Sequence, residues 1–191
     1  MTRVIIIDEI KEEYEALKES FKNEDVLIVN EGIDNWLEHN FANAIVTEST
    51  KNGVLVGDSS RLVDNLFDGA ISDKVKKCVD EFYMGELETS GSFITKVPFT
   101  DRYVINTTID GNDLTSIYKA TFNSLLCAYN TNMESVLLSP IGKDDKDVNH
   151  KFYLDTLYYA YEHARLTHER YKNDEKYKLK KLVQPTDSVV K

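Results

Sequence analysis

The chain has 191 residues, a length that fits one domain able to bury a core without disulfides or bound metals. Its composition is 41% hydrophobic and 29% charged with three prolines, which is typical of a folded globular protein and argues against a disordered or fibrous one. Lys and Arg together number 23 against 33 for Asp and Glu, so the formal net charge is −10. A surface of that sign repels nucleic-acid backbones, and direct binding to them is not expected.

Two features of the sequence concern where the protein works. Apolar runs such as residues 4–7 are far shorter than the roughly 20 residues that cross a bilayer, and no secretory leader opens the chain. Cys78 and Cys127 fall on the apolar faces of predicted helices, where a free thiol packs as a small hydrophobic side chain. The sequence therefore predicts a cytoplasmic protein with reduced cysteines and no membrane partner.

The first part of the chain alternates between strand and helix patterns. Residues 4–8 form a compact apolar run, and apolar residues at helical spacing follow it. Residues 26–29 and 44–46 predict two further buried strands, which are joined through a helical turn around Trp36. Strands that alternate with helices predict a largely parallel sheet covered on both faces.

Two helices and two strands are predicted next. The apolar residues between positions 59 and 83 describe helical faces that are interrupted at Gly69. Residues 92–97 and 102–109 are rich in Val, Ile, Thr and Tyr, and a turn at Pro98 separates them. These two segments predict an antiparallel strand pair, so the sheet is expected to be mixed.

The last third of the chain predicts a helix, a strand and a second helix. Residues 114–129 keep the three-and-four apolar spacing throughout, with Asp113 as the cap, and residues 135–138 predict the last strand. The fold predicted is α/β, a three-layer α/β/α domain with a mixed sheet over residues 1–165. A long C-terminal helix and tail over residues 166–191 are expected to project from that domain. This extension is rich in Lys and Arg, which favours a solvated helix end or a small anionic partner.

Familiar catalytic and metal-binding patterns are absent from the sequence. It contains no G-x-S-x-G, G-x-x-x-x-G-K-[ST], H-E-x-x-H or C-x-x-C. His163 and His168 are five positions apart rather than four, so they do not share the helical face that two metal ligands need. His39 and His150 stand alone near predicted helix starts. The sequence thus predicts surface histidines, no metal site and no bound cofactor.

Four loops follow the predicted carboxyl ends of the strands, which is where parallel sheets bind their ligands. The loop after the third strand brings two glycines and a helix start together, which lets backbone approach a ligand and favours phosphate. Taken alone, however, the loop is better explained by ordinary turn and cap roles for Gly53, Asp58 and Ser59. The four loops are residues 30–34, 47–60, 106–108 and 140–143.

Three short segments occur in a distinctive order along the chain. They are Ala44-Ile45-Val46 with the glycine-rich loop after it, Tyr103-Val104-Ile105-Asn106-Thr107, and the strand that ends in Pro140-Ile141-Gly142. In this order they resemble a macro domain, in the branch common among phage-encoded and bacterial ADP-ribose-processing proteins. The resemblance covers about residues 4–165, and it implies recognition of ADP-ribose or of an ADP-ribosylated target.

The resemblance also implies which loop residues bind the ligand. Backbone N–H groups of residues 51–60 would hold the pyrophosphate, Gly142 and Lys143 would close over it, and Glu31 or Asp34 would accept from the adenine amine. The predicted ligand-binding set is Glu31, Asp34, Thr50, Lys51, Asn52, Gly53, Gly57, Ser59, Ser60, Asn106, Gly142 and Lys143.

Three functions stay open at this point. The first is a protein that reads or sequesters an ADP-ribose-like nucleotide, which the retained glycines favour. The second is an ADP-ribosyl hydrolase in which Asp58 or Asp144 orients a water, although Thr50 stands where the hydrolases of the family have an asparagine. The third is a protein-interaction module that binds a partner through its acidic surface, the helix after residue 165 or the tyrosines of residues 153–161.

Overall fold

The computed structural model describes residues 2–109, 113–142 and 149–172, and these contain one mixed sheet between two layers of helices. Short runs rich in Val, Ile and Leu form the strands, as expected for a sheet that is covered on both faces. In chain order the strands are β1 (Arg3–Ile7), β2 (Val26–Val29), β3 (Ala44–Ser49), β4 (Leu55–Val56), β5 (Ser92–Lys96), β6 (Tyr103–Thr108) and β7 (Ser135–Leu138).

The sheet order is β2-β1-β7-β3-β6-β5, and β4 pairs with β3 beside this path. The pairs from β2 across to β6 are parallel, whereas β5 runs antiparallel to β6 and β4 antiparallel to β3. The predicted mixed sheet and the antiparallel pair of residues 92–97 and 102–109 are therefore confirmed. The carboxyl ends of β1, β2, β3, β6 and β7 all meet at one edge of the sheet.

The helices are divided between the two faces by the alternation of side chains along the strands. In β3, Ala44 and Val46 face one hydrophobic cluster and Ile45 faces the other. The first cluster is covered by α1 (Lys11–Ser20), α5 (Leu114–Asn130) and α6 (His150–Tyr171), and the second by α2 (Ile33–His39), α3 (Asp58–Leu66) and α4 (Ala70–Phe82).

Most of the elements predicted from periodicity are present. α3 and α4 are separated at Gly69, which has a φ of 80° there, and Asp113 caps α5 by accepting from the N–H groups of Thr115 and Ser116. Both cysteines are free and buried. The element that the sequence did not predict is β4, because two residues are too few to show any periodicity.

Helix α6 runs without a break from His150 to Tyr171, so the last helix continues past residue 165 as predicted, and the rest of the extension, beyond Lys172, lies outside the described residues. The division of the chain at residue 165 stays a prediction. Tyr153 and Tyr161 of the same helix are buried in the core, which accounts for two of the four tyrosines in residues 153–161. No helix in the described part of the chain is long and apolar enough to cross a membrane.

Candidate functional site

The glycine-rich loop after β3 folds back on itself and forms a tight hairpin with β4. The N–H of Thr50 donates to the carbonyl of Val54 at 2.9 Å, and the N–H of Gly53 donates to the carbonyl of Thr50 at 2.9 Å. The Thr50 hydroxyl accepts from the N–H of Val54 at 3.3 Å and lies 3.0 Å from the amide oxygen of Asn52. These main-chain donors are therefore used inside the hairpin.

Gly53 packs against α4, which is a structural contact and not a position open to a ligand. Its φ of 80° is in the left-handed region, and a Cβ at this position would lie 3.0 Å from Cγ2 of Val79. The carbonyl of Lys51 accepts from the N–H of Leu87 at 2.8 Å, which ties the hairpin to the segment before β5. The structure thus gives Gly53 a packing role, and its predicted ligand contact stays a prediction that this geometry does not favour.

The start of α3 keeps the character of an anion site. Gly57, with a φ of 78°, precedes the helix and no side chain caps it. The first N–H groups of any helix lack partners within the helix, and the helix dipole adds a partial positive charge there. Ser59 is half-buried, and the hydroxyl of Ser60 accepts from the main-chain N–H of Glu48 at 2.8 Å. This contact holds the helix start against the end of β3.

The turn after β7 reaches the same strand end. The N–H of Gly142 donates to Oε2 of Glu48 at 3.2 Å. Gly142 has a φ of 71°, and a Cβ there would lie only 2.8 Å from Cγ1 of Ile117, so the turn fits closely against α5. The carbonyl of Ile141 accepts from the hydroxyl of Tyr153 at 3.0 Å, which anchors the turn to α6 as well.

Glu48 therefore joins the two predicted loops. We name this place the β3 rim and define it by Glu48, residues 57–60 and Gly142. Glu48 is not among the residues predicted for the site, because its contact partner lies 94 residues away. A local signal did exist, since Glu48 is a carboxylate on the same strand face as the apolar Ala44 and Val46 and is only half-buried.

Asn106 is fully buried and forms a polar layer with β3. Its side-chain N–H donates to the hydroxyl of Ser49 at 2.8 Å, and its amide oxygen accepts from the hydroxyl of Thr47 at 3.3 Å. Thr47 is the residue that pairs with Asn106 in the sheet register, so this network fixes β6 against β3. The burial of Asn106 favours a structural role over the ligand contact that the resemblance implied.

The predicted adenine acceptors lie farther along the same edge of the sheet. Glu31 follows β2 and accepts from the side chain of Asn35, and Asp34 lies in the first turn of α2; both carboxylates are half-buried. β2 is separated from β3 by β1 and β7, which is three strand spacings or roughly 14 Å. Asp8, at the end of β1 between them, is buried, and its Oδ1 accepts from the N–H of Ile10 at 2.9 Å.

Of the two residues predicted for catalysis only Asp58 lies in the described part of the chain, and its surroundings do not support a catalytic role. The side chain of Asp58 is 85% exposed and lies 3.9 Å from Nη1 of Arg61, and no described residue other than Arg61 is seen to orient it. Asp144 and Lys143 lie outside the described residues. A hydrolase mechanism therefore stays a prediction of the sequence.

The histidines make more side-chain contacts than the surface positions predicted from the sequence would suggest. Nδ1 of His163 lies 2.7 Å from the hydroxyl of Tyr118, and His150 lies 3.4 Å from Oε2 of Glu13. His168 is half-buried rather than exposed, and burial lowers its pKa below the ordinary histidine value. Within residues 2–109, 113–142 and 149–172, no group of three or more His, Cys, Asp or Glu side chains is placed to hold a metal ion.

Two concavities lie away from the β3 rim. One of about 490 Å³ surrounds the turn between β5 and β6, where Phe99 is exposed. The other, of about 360 Å³, lies at the amino ends of β1 and β7 and is lined by Tyr129, Arg165 and His168 among others. Neither concavity includes a residue of the predicted ligand-binding set.

The strand order and the helices on both faces define the class of fold, and solved structures identify it. The chain is similar to the macrodomain of Mycobacterium tuberculosis DarG, with a TM-score of 0.53 and 15% identity over 65% of this chain and 84% of that one. It is similar to the macrodomain of Thermus aquaticus DarG, with a TM-score of 0.52 and 14% identity over 66% and 85%.

A third similar structure is a Trypanosoma brucei macrodomain, with a TM-score of 0.52 and 15% identity over 68% of this chain and 51% of that one. No family model matches the chain, and its sequence matches no curated protein. The chain therefore has the macro domain fold, as the order of its segments predicted.

Proposed function

We propose that the chain binds an ADP-ribose-like nucleotide at the β3 rim and acts as a reader or a sequestering protein. The observation that supports this most is the convergence of two donor-bearing features on the end of one strand. Glu48 contacts the start of α3 through Ser60 and the glycine turn through Gly142. Helix starts and glycine turns are the backbone features that recognise phosphate groups.

The start of α3 and the end of the sheet near β2 have separate roles in this proposal. The N–H groups at the start of α3, after Gly57, would face the pyrophosphate, and the half-buried Ser59 would line its path. Glu31 or Asp34, at the end of the sheet near β2, would accept from the adenine amine. The ligand would then run along the carboxyl edge of the sheet, which is where α/β sheets of this kind bind nucleotides.

Titration calorimetry with ADP-ribose tests the proposal on the full chain. We expect one saturable site, and we expect Ser59→Glu to weaken binding roughly tenfold or more, because it adds a negative charge beside the pyrophosphate. Asn23→Glu is the matched control, since it adds the same charge at an exposed turn near the opposite edge of the sheet. Absence of heat with the unaltered protein would end this proposal, and equal weakening by both variants would place the site elsewhere.

The place of action follows from the same proposal. We infer that the protein works in the cytoplasm, where ADP-ribose and ADP-ribosylated targets are available to it. Its two free, buried cysteines fit a reducing compartment. A protein partner for the C-terminal extension stays a prediction, because that segment lies outside the described residues.

A further inference from the structure

The concavity at the amino ends of β1 and β7 lies at the edge of the sheet opposite to the β3 rim. Its volume of about 360 Å³ is in the range that small molecules occupy. Three parts of the chain line it, namely the residue before β1, the end of α5 with the turn after it, and the last turns of α6. We name this place the amino-end concavity. It shares no residue with the β3 rim.

The guanidinium of Arg165, which lines this concavity, is only partly satisfied by the chain. Its Nη1 donates to Oε1 of Glu169 at 3.1 Å, whereas Nε is buried and has no acceptor among the residues that the structure describes. Nη2 lies on the same edge of the planar group as Nε, and no described residue accepts from it either. A buried donor without an acceptor costs stability, so an external group that accepts from this edge would be bound favourably.

This edge of the guanidinium suits an oxyanion. Arginine donates parallel N–H bonds to the oxygens of a carboxylate or a phosphate, and such charge-assisted bonds are about twice as strong as neutral ones. The side chain of Arg165 is 24% exposed. An oxyanion in the concavity can therefore accept from Nη2, and a small rotation of the guanidinium would add the bond from Nε.

Tyr129 brings a second donor to the same concavity. Its side chain is buried, and its hydroxyl has no hydrogen-bond partner among the described residues, although buried tyrosine hydroxyls usually have one. Burial raises the pKa of Tyr129 above its usual value, so the hydroxyl keeps its proton and can donate at neutral pH. The ring packs against that of His168 with the ring centres 5.6 Å apart, which holds the hydroxyl in place.

The charges around the concavity favour a small anion over a large one. Two cations and two carboxylates line it, which are Arg165, Lys172, Glu134 and Glu169. Glu169 is paired with Arg165, and Glu134 is exposed, so that water and salt screen its charge. The net charge of −10 repels polyanions from the whole surface. An anion with one or two charges therefore fits this place best.

We propose that the amino-end concavity is a second binding site and that it takes a small oxyanion, either inorganic phosphate or the carboxylate of a small organic acid. Arg165 holds the anion through the edge that carries Nε and Nη2, and Tyr129 donates a further hydrogen bond. This inference does not depend on nucleotide binding at the β3 rim, because the two places lie at opposite edges of the sheet.

Nuclear magnetic resonance titration of the full chain tests the site, with inorganic phosphate and acetate as separate probes. The backbone amide signals of Met133 and Glu134 report the concavity, whereas those of Ser60 and Gly142 report the β3 rim. Binding at the two places is therefore read separately in one experiment. We expect saturable shifts of the Met133 and Glu134 signals with at least one of the two anions.

Two variants and one control show which side chains bind the anion. We expect Arg165→Gln to weaken binding at least about tenfold and Tyr129→Phe about threefold, because they remove a charge-assisted and a neutral hydrogen bond. Tyr129→Phe keeps the buried ring, so it tests the site even if Arg165→Gln disturbs the fold. Arg170→Gln is the matched control, since it removes the same charge from the same helix outside the lining of the concavity.

The proposal is supported if the shifts saturate, weaken in Arg165→Gln and Tyr129→Phe, and stay unchanged in Arg170→Gln. Binding of phosphate alone would then identify a phosphate ligand, binding of acetate alone a carboxylate, and binding of both a general oxyanion site. Absence of saturable shifts at Met133 and Glu134 with both probes overturns the proposal. Equal weakening by Arg170→Gln overturns it too, because that result indicates only a general effect of positive charge.

Discussion

At the scale of single residues, Arg102 shows how one side chain joins α2 to the sheet. Its guanidinium lies 5.2 Å from the ring centre of Phe41 and 5.9 Å from that of Phe67. One nitrogen of the group donates to the carbonyls of Leu37 at 3.3 Å and Asn40 at 2.9 Å, which lie at the end of α2. Burial lowers the pKa of Arg102 below its usual value, yet the group stays charged at neutral pH.

We expect Arg102→Ala to lower the free energy of unfolding by about 1–3 kcal/mol, because it removes both the ring contacts and the two carbonyl hydrogen bonds. Arg102→Lys should lose part of this stabilisation, since the ammonium group of lysine lacks the planar guanidinium that stacks on rings and donates two hydrogen bonds. Arg61→Ala is the control: its side chain is 66% exposed, and we expect a change below about 0.5 kcal/mol. Urea denaturation measures all three, and a lysine variant as stable as the parent would contradict the stacking argument.

At the scale of secondary-structure elements, the start of α5 is set by one carboxylate. Asp113 accepts from the N–H groups of Thr115 at 2.8 Å and Ser116 at 3.0 Å, and from the hydroxyl of Ser116 at 2.8 Å. The hydrogen bond from the Ser116 backbone is the main reason that the pKa of Asp113 lies below its ordinary value. The sequence identified this cap, because capping depends only on neighbours along the chain.

The stabilisation that Asp113 provides should depend on pH. Its pKa is lower in the folded than in the unfolded chain, so the stabilisation is complete above the unfolded value of about 3.9 and is lost as the pH falls through the folded value. Asp113→Asn still caps the helix but does not titrate. We therefore expect the parent to lose more thermal stability than this variant between pH 5 and about 2, measured as the melting temperature. Asp155→Asn, an exposed carboxylate within α6, should follow the parent, and parallel curves for all three would contradict the assignment.

Elements were easier to predict than the contacts between them. The strand and helix patterns are local, so β1, β3, β6, β7 and α5 follow from apolar spacing alone. The hairpin at β4 is local but too short to show periodicity, whereas the packing of Gly53 on Val79 and the contact of Glu48 with Gly142 depend on residues distant in the chain. The sequence therefore located the loops of the site but not the directions in which their donors point.

At the scale of the whole molecule, the most consequential strand is β1. It lies between β2 and β7 and pairs in parallel with both, so side chains from both of its faces enter the two hydrophobic clusters. Ile5 and Ile7 belong to the cluster covered by α2, α3 and α4, whereas Val4 and Ile6 belong to the cluster on the opposite face. The first strand of the chain thus connects the two halves of the core.

We expect Ile7→Ala to lower the free energy of unfolding by about 2–4 kcal/mol, because the side chain is 1% exposed and its removal leaves a cavity in a fully packed region. Leu27→Ala in the neighbouring edge strand is the matched control. Leu27 is 46% exposed, and its truncation should cost less than about 1 kcal/mol. Denaturant unfolding of both variants tests this, and equal losses would show that β1 is not central to the core.

The position of β1 also has a consequence during synthesis. Its neighbour β7 (Ser135–Leu138) is the last strand in the described part of the chain, so one side of β1 lacks its partner until those residues have been made. A nascent chain stalled before that point exposes an unpaired, apolar strand, which is a surface that invites aggregation or chaperone binding. The domain should therefore mature in one late step that begins when β7 becomes available, not piece by piece from its N-terminus.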